Sequence, residues 1–180
     1  MAQLFTKEFY QAVFHQMEER IKEDFCPTEK YEEVDGYACF EEEPFADDDE
    51  CIEVEMTLHT ENEWEDESFD HAFGTWHDPY ACWGYGYIYD VDDDVKVYKN
   101  GKEIEGWNMD DFWLSFNEEQ HTNAYGTVFS KGELVETGPS NSVVGEFLYF
   151  DSFNDKYHVK VGDEEKVYGY IRKPKKGGEE

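Results

Sequence analysis

The sequence predicts an α+β fold: mostly antiparallel, strongly twisted sheet or sheets, a long N-terminal amphipathic helix and one short central helix. Three observations predict it. Apolar residues recur at four-residue steps near the N-terminus, and two-residue alternation takes over in several later segments. The third is aromatic content: 18% of the 180 residues are Phe, Tyr or Trp, although the chain is only 39% hydrophobic. Acidic disordered chains are poor in such rings, so the composition describes a folded protein with a core of large side chains. The order helix, strands, helix, strands lacks the regular alternation of a parallel α/β sheet.

Phe5, Phe9, Val13, Met17, Ile21 and Phe25 form the first stripe, widened by Leu4, Ala12 and Phe14. It predicts a helix over about 6–25, stopped by Cys26-Pro27. A strand is expected over 31–40, interrupted near Gly36, followed by an acidic loop over 41–50. Ile52, Val54, Met56 and Leu58 then alternate with Glu53, Glu55, Thr57 and His59, the pattern of a half-buried strand with its acids outward. Trp83, Tyr85, Tyr87 and Tyr89 share one parity across glycines 84 and 86; a stripe of this kind is more often core than surface. Asn100-Gly101 signals a two-residue hairpin. Asn108 caps a short helix, with Asp111 in capping-box position and Met109, Phe112, Trp113 and Phe116 on one face. The remainder reads as a meander, with strands at 124–129, 133–137, 143–150, 156–161 and 166–171. Length and pattern suggest a single acidic domain over 1–172 and a flexible basic, Gly-containing tail over 173–180.

Charge is the most unusual property. The chain has 45 acidic and 15 basic residues, a formal net charge of −30. From Tyr31 to Val95 there is no Lys or Arg, and 23 Asp and Glu fall in that interval. A large single-sign field destabilises the compact state by self-repulsion, and a basic partner would relieve it. The last 60 residues are close to neutral, with 10 acids and 8 bases. Such a surface repels anionic lipid and nucleic acid, so neither membrane association nor direct nucleic-acid binding is expected. The opening residues lack the apolar stretch of a secretory leader. Cys26, Cys39, Cys51 and Cys82 form no CxxC pair, and the four read as reduced thiols of a cytoplasmic protein.

The acids expected to form a binding face are Asp47, Asp48, Asp49, Glu50, Glu53, Glu55, Glu61, Glu63, Glu65, Asp92, Asp93 and Asp94, with Trp76, Trp83 and Tyr85 as candidate aromatic anchors. Same-face residues on a strand lie about 6.7 Å apart, whereas one DNA strand advances about 3.4 Å per phosphate. A single acidic row is therefore too sparse to copy a phosphate backbone; two adjacent rows come closer. A globule of this size is about 40 Å across, and duplex DNA of that length carries about 24 phosphate charges, comparable with the net charge here.

Other constellations carry less. His71, His77 and Asp78 offer groups able to bind a metal or exchange a proton, but their spacing matches no zinc pattern. Asp90, Asp92 and Asp94 imitate the start of an EF-hand loop, which then fails at Val95 and Gly101, where Gly and Glu belong. Gly84-Tyr85-Gly86 leads into an apolar strand rather than a helix, so it is no phosphate cradle. No GxSxG or cofactor motif is present.

The expectation is a non-enzymatic acidic inhibitor without metal or cofactor. It would dock as a DNA mimic on a basic nucleic-acid-binding protein such as a nuclease or defence effector, the anti-restriction or anti-defence role found in phage and mobile elements. Alternatives are an immunity protein neutralising a basic nuclease toxin, an accessory protein whose acidity maintains solubility, and a metal-assisted enzyme using His71, His77 and Asp78.

Overall fold

The N-terminal stripe becomes a helix because a cap starts it and a sheet buries it. In a computed structural model that describes residues 4–24, 27–64, 69–70, 75–76, 84–137 and 143–174, helix α1 spans Lys7–Asp24. The Thr6 hydroxyl accepts the Phe9 backbone N–H at 3.3 Å, satisfying one of the free donors of the first turn. Phe9, Tyr10, Val13, Phe14, Met17 and Ile21 are all buried. The fold is α+β, as predicted, and no helix among the described residues is long and apolar enough to cross a membrane. The chain's contacts gather into two compact units, Met1–Ser115 and Phe116–Glu180.

The first unit is organised by strand β2, Ile52–Trp64. On one side it pairs antiparallel with β1, Tyr31–Phe40, over ten residue pairs from Tyr31↔Glu61 to Phe40↔Ile52. β3, Phe69–Asp70, and β4, Thr75–Trp76, pair with each other. The other side of β2 is shared by β5, Gly84–Val91, and β6, Lys96–Lys99. β7, Lys102–Ile104, extends the sheet from β6 through Asn100 and Gly101, whose φ of 52° and 70° are the left-handed values the Asn-Gly signal predicts. Helix α2, Met109–Leu114, is capped as expected: the Asn108 side chain accepts from the Asp111 N–H at 3.1 Å. The Asn108 N–H, which a full capping box would satisfy locally, donates instead to the Tyr10 hydroxyl at 3.3 Å.

The alternation on β2 is complete. Ile52, Val54, Met56, Leu58, Thr60 and Asn62 are buried, and the intervening residues are partly or fully exposed. Rings from α1 and its neighbours fill the core: Phe9 meets Phe40 and Phe45 at 5.6 and 5.3 Å, and Trp107 meets Tyr10 and Phe112 at 4.8 and 5.5 Å. The fully buried Phe9 and Phe112 each contribute about 1.5–3 kcal/mol by leaving water.

Two expectations for this unit need correction. β1 is not interrupted at Gly36; it runs through, because glycine there lets Leu58 of β2 lie against the backbone. A Cβ at that position would come within 2.7 Å of Leu58 Cγ. Nor do Tyr87 and Tyr89 of the ring stripe lie in the core: both are about half exposed, since β5 turns its buried parity over to Gly86 and Ile88.

In the second unit β8, Asn117–Glu118, pairs with β12, Val143–Asp151. β9, Gln120–Thr122, and β10, Val128–Ser130, form a hairpin. The six-stranded sheet runs β14-β13-β12-β11-β15, where β11 is Leu134–Thr137, β13 Lys156–Val161, β14 Glu164–Tyr168 and β15 Ile171–Arg172. Phe129, Val135, Phe147, Phe150, Tyr157, Val159 and Ile171 make its core. The strand expected over 124–129 is mostly a turn, because the Asn123 side chain accepts from the backbone N–H groups of Tyr125 and Thr127, both at 3.0 Å. The strand expected over 166–171 ends at Tyr168, and Ile171 leaves to pair with Thr137. Lys173, where the tail was expected to begin, is held by Glu133 and lies over the Phe129 ring.

Candidate functional site

The register of β1, β2 and β5 decides which acids share a surface. On β2 the outward parity carries Glu53, Glu55, Thr57, His59, Glu61 and Glu63. Its acidic row is therefore broken in the middle. The neighbouring strand fills the break: Asp35 is opposite Thr57 and Glu33 opposite His59. On the other side Asp90 of β5 is also opposite His59. Glu33, Asp35, Glu55, Glu63 and Asp90 are exposed, and Glu53 and Glu61 half-buried. These seven carboxylates cover a strand length of about 33 Å, against about 10 phosphates on one DNA strand of that length.

Several of the described residues temper this face. Lys96 is opposite Glu55. Lys30 pairs with Glu61 at 3.1 Å, and the Tyr31 hydroxyl donates to the same carboxylate at 3.1 Å; the two bonds hold Glu61 below the usual carboxylate range. The Tyr37 hydroxyl donates to Glu53 at 2.7 Å, a bond that raises the phenol pKa. Arg20 lies over the Tyr37 ring at 4.9 Å. His59 meets Asp92 at 2.8 Å, and this hydrogen bond raises the imidazole pKa against the opposing effect of burial. Tyr31, Tyr87 and Tyr89 expose about half their surface on the same unit, with Tyr31 and Tyr89 in edge contact at 6.1 Å. A shallow groove of about 360 Å³ crosses the acidic track between Asp35, Tyr37, Glu55, Thr57, Asp94 and Lys96.

The structure therefore brings together Glu53, Glu55, Glu61 and Glu63 on one strand face, with Asp92 joined through His59 and Asp94 through the groove. Asp93 is exposed beside them. Asp47, Asp48 and Asp49 are exposed on the loop after β1, while Glu50 is tied to Lys99 at 2.6 Å, which lowers its pKa. Tyr85 occupies the register position opposite Glu63, and Trp76 the position opposite Phe69. Glu65, Trp83, His71, His77 and Asp78 lie outside the described residues.

Sequence reasoning missed Glu33, Asp35 and Asp90. The signal was available: each belongs to a segment with strand parity, but assigning them to this face needs the pairing register. Sequence reasoning also treated the cysteines as unrelated. Cys39 at the end of β1 and Cys51 just before β2 have their Sγ atoms 3.4 Å apart. That contact, burial and the neighbouring charges of Glu53 and Glu41 push the Cys51 thiol up to about 11. Glu41 joins them: one carboxylate oxygen and the two sulfurs all lie within 4.8 Å of one another. The residues flanking an acidic loop of this length had only to be recognised as the two sides of a hairpin.

No protein-family model, curated protein or solved structure matches this chain.

Proposed function

We propose that the outward face of the β1-β2-β5 sheet is an anionic docking surface that competes with nucleic acid for a basic nucleic-acid-binding protein, such as a nuclease or defence effector. The observation that carries this reading is the interlocking of two strands: Glu33 and Asp35 of β1 occupy the places where the acidic row of β2 is interrupted by Thr57 and His59. The result is a track of carboxylates held in sheet register, with exposed tyrosines beside it. Preorganisation matters here, because charges fixed by a sheet attract a basic surface without the entropic cost of ordering a flexible acidic tail. The track has about two-thirds of the charge density of one DNA strand. It matches a basic surface in sign and extent rather than phosphate for phosphate, and no catalytic group is required.

Long-range attraction of this kind speeds association and is screened by salt. Replacing Glu53, Glu55, Glu61 and Glu63 with Gln removes four charges from the track at nearly constant shape. With the intact chain as bait in extracts of its source cells, basic proteins retained at low salt should be released by salt and by duplex DNA. The fourfold variant should lose them, with association slowed by about 10–10³-fold. Equal retention by the variant, or indifference to DNA, would show that the track is not the docking surface.

A further inference from the structure

The geometry points to a zinc-class divalent-cation site at the loop end of the β1–β2 hairpin, held by Cys39 Sγ, Cys51 Sγ and the Glu41 carboxylate. The three donors already converge: the sulfurs are 3.4 Å apart, and each donor atom is within 4.8 Å of the others. Tetrahedral zinc with metal–sulfur bonds of about 2.3 Å separates its sulfurs by about 3.8 Å. The thiols need to open by only a few tenths of an ångström.

The backbone under each thiol is fixed independently. The Gln16 side chain accepts from the Cys39 N–H and donates to the Cys39 carbonyl, clamping the free edge of β1. The Asn100 side chain accepts from the Cys51 N–H at 2.7 Å, and the Asn100 N–H donates to the Cys51 carbonyl at 2.8 Å. Two amide clamps on two successive strand ends give the preorganisation that a metal site requires of its supporting residues. Access is open as well. Cys39 and Glu41 line a surface groove of about 630 Å³ together with Arg20, Tyr37 and Phe45.

The donor set selects the metal. Two thiolates favour zinc and its softer relatives over magnesium and calcium, which prefer oxygen ligands. Three protein ligands leave a fourth position for water. Binding replaces two S–H bonds with two metal–sulfur bonds and sends two protons to solvent. The cation also places positive charge beside the carboxylates whose charges act on the Cys51 thiol, Glu53 and Glu41.

Cobalt(II) added to the reduced full-length chain without oxygen reports the site directly. One equivalent should bring thiolate-to-metal charge-transfer absorption and tetrahedral d–d bands, and Zn²⁺ should bleach both. Affinity should rise by about two decades per pH unit below the thiol pKa values, because two protons leave. Cys39→Ser and Cys51→Ser should each weaken Zn²⁺ binding by more than the about 10–100-fold that losing a supporting residue costs. Glu41→Gln, in the exposed loop after β1, should weaken it without disturbing the sheet, and circular dichroism checks that each variant folds. Three results would overturn the assignment: no charge-transfer band, the same band in the Cys39→Ser/Cys51→Ser double variant, or a Cys39–Cys51 disulfide in protein isolated under thiol-blocking conditions.

Discussion

The two compact units of this chain form similar local ion pairs but carry very different charge. Residues 1–115 hold 33 acids and 7 bases, a net charge of −26, whereas residues 116–180 hold 12 acids and 8 bases, a net of −4. In the second unit Lys131 pairs with Glu119, Lys166 with Glu164, Arg172 with Glu136 and Lys173 with Glu133. In the first, Lys22 pairs with Glu19, Lys30 with Glu61 and Lys99 with Glu50. The supply of bases, rather than the pairs they make, sets the difference: 8 bases accompany 12 acids in the second unit, and 7 accompany 33 in the first. Acidity that served solubility alone would have no reason to spare a third of the chain. The asymmetry supports a surface shaped for one kind of partner.

Salt is the strongest way to break this comparison. The Debye length falls from about 30 Å at 0.01 M to about 8 Å at 0.15 M ionic strength. Self-repulsion in the first unit should be screened across that range, stabilising it on the order of a few kcal/mol, while the nearly neutral second unit should barely respond. Hydrogen exchange resolved by segment measures both at once. Protection of α1, β1 and β2 should rise with salt, and that of β12 and β13 should stay level. Parallel rises in both units would mean that the charge asymmetry has no separate consequence for stability.

Glycine substitutions sharpen the comparison at the level of packing. Gly36 and Gly145 are the buried glycines of β1 and β12. A Cβ at Gly36 would meet the Leu58 side chain at 2.7 Å, with the Met56 carbonyl at 3.0 Å. A Cβ at Gly145 would meet Val159 Cγ1 at 2.5 Å and the Lys160 carbonyl at 2.7 Å. Backbone of a paired strand yields less readily than a side chain. Both alanine variants should lose stability within the about 1–3 kcal/mol typical of overpacking, with Gly145→Ala the costlier. Denaturant unfolding of the two variants tests the order, and a neutral Gly145→Ala would show that β12 and β13 can move apart freely.

The sequence was most legible where one periodicity ran undisturbed. The four-residue stripe from Phe9 to Ile21 specified α1, and the alternation from Ile52 to Leu58 specified β2, because both patterns record a single buried face. Asn100-Gly101 and Asn108 were legible because their chemistry is local. Gly36 was misread as a break because its reason, the approach of Leu58, comes from a residue 22 positions away. The segment 124–129 looked like a strand by composition, but Asn123 turned it through its own side chain. The proposed docking face was half legible. Glu53, Glu55, Glu61 and Glu63 follow from parity alone, whereas Glu33, Asp35 and Asp90 join them through strand pairing, which no local pattern encodes. The juxtaposition of Cys39 and Cys51, by contrast, follows once the strands flanking the acidic loop are read as a hairpin.

His59 offers the finest test, since it lies where the β2 row lacks a carboxylate. It is surrounded from two neighbouring strands and the loop after β5: Asp92 hydrogen-bonds its ring, Asp90 is opposite on β5, and Glu33 is opposite on β1. The Asp92 bond raises the imidazole pKa first, and the charges of Asp92, Glu33 and Asp90 add to it, while burial works the other way. The folded pKa thus exceeds the value of about 6.5 expected for an unfolded histidine. Protonated His59 therefore favours the folded state. Its contribution is fully present below that unfolded value and is lost as pH rises through the folded pKa. With Asp92 half exposed, the effect on stability should stay below about 1 kcal/mol, so the ring itself is the better probe. Its titration, followed by NMR, should move down in Asp92→Asn and down again as salt screens Glu33 and Asp90. A His59 pKa that ignores salt once Asp92 is replaced would mean that the carboxylates opposite it do not act as one field.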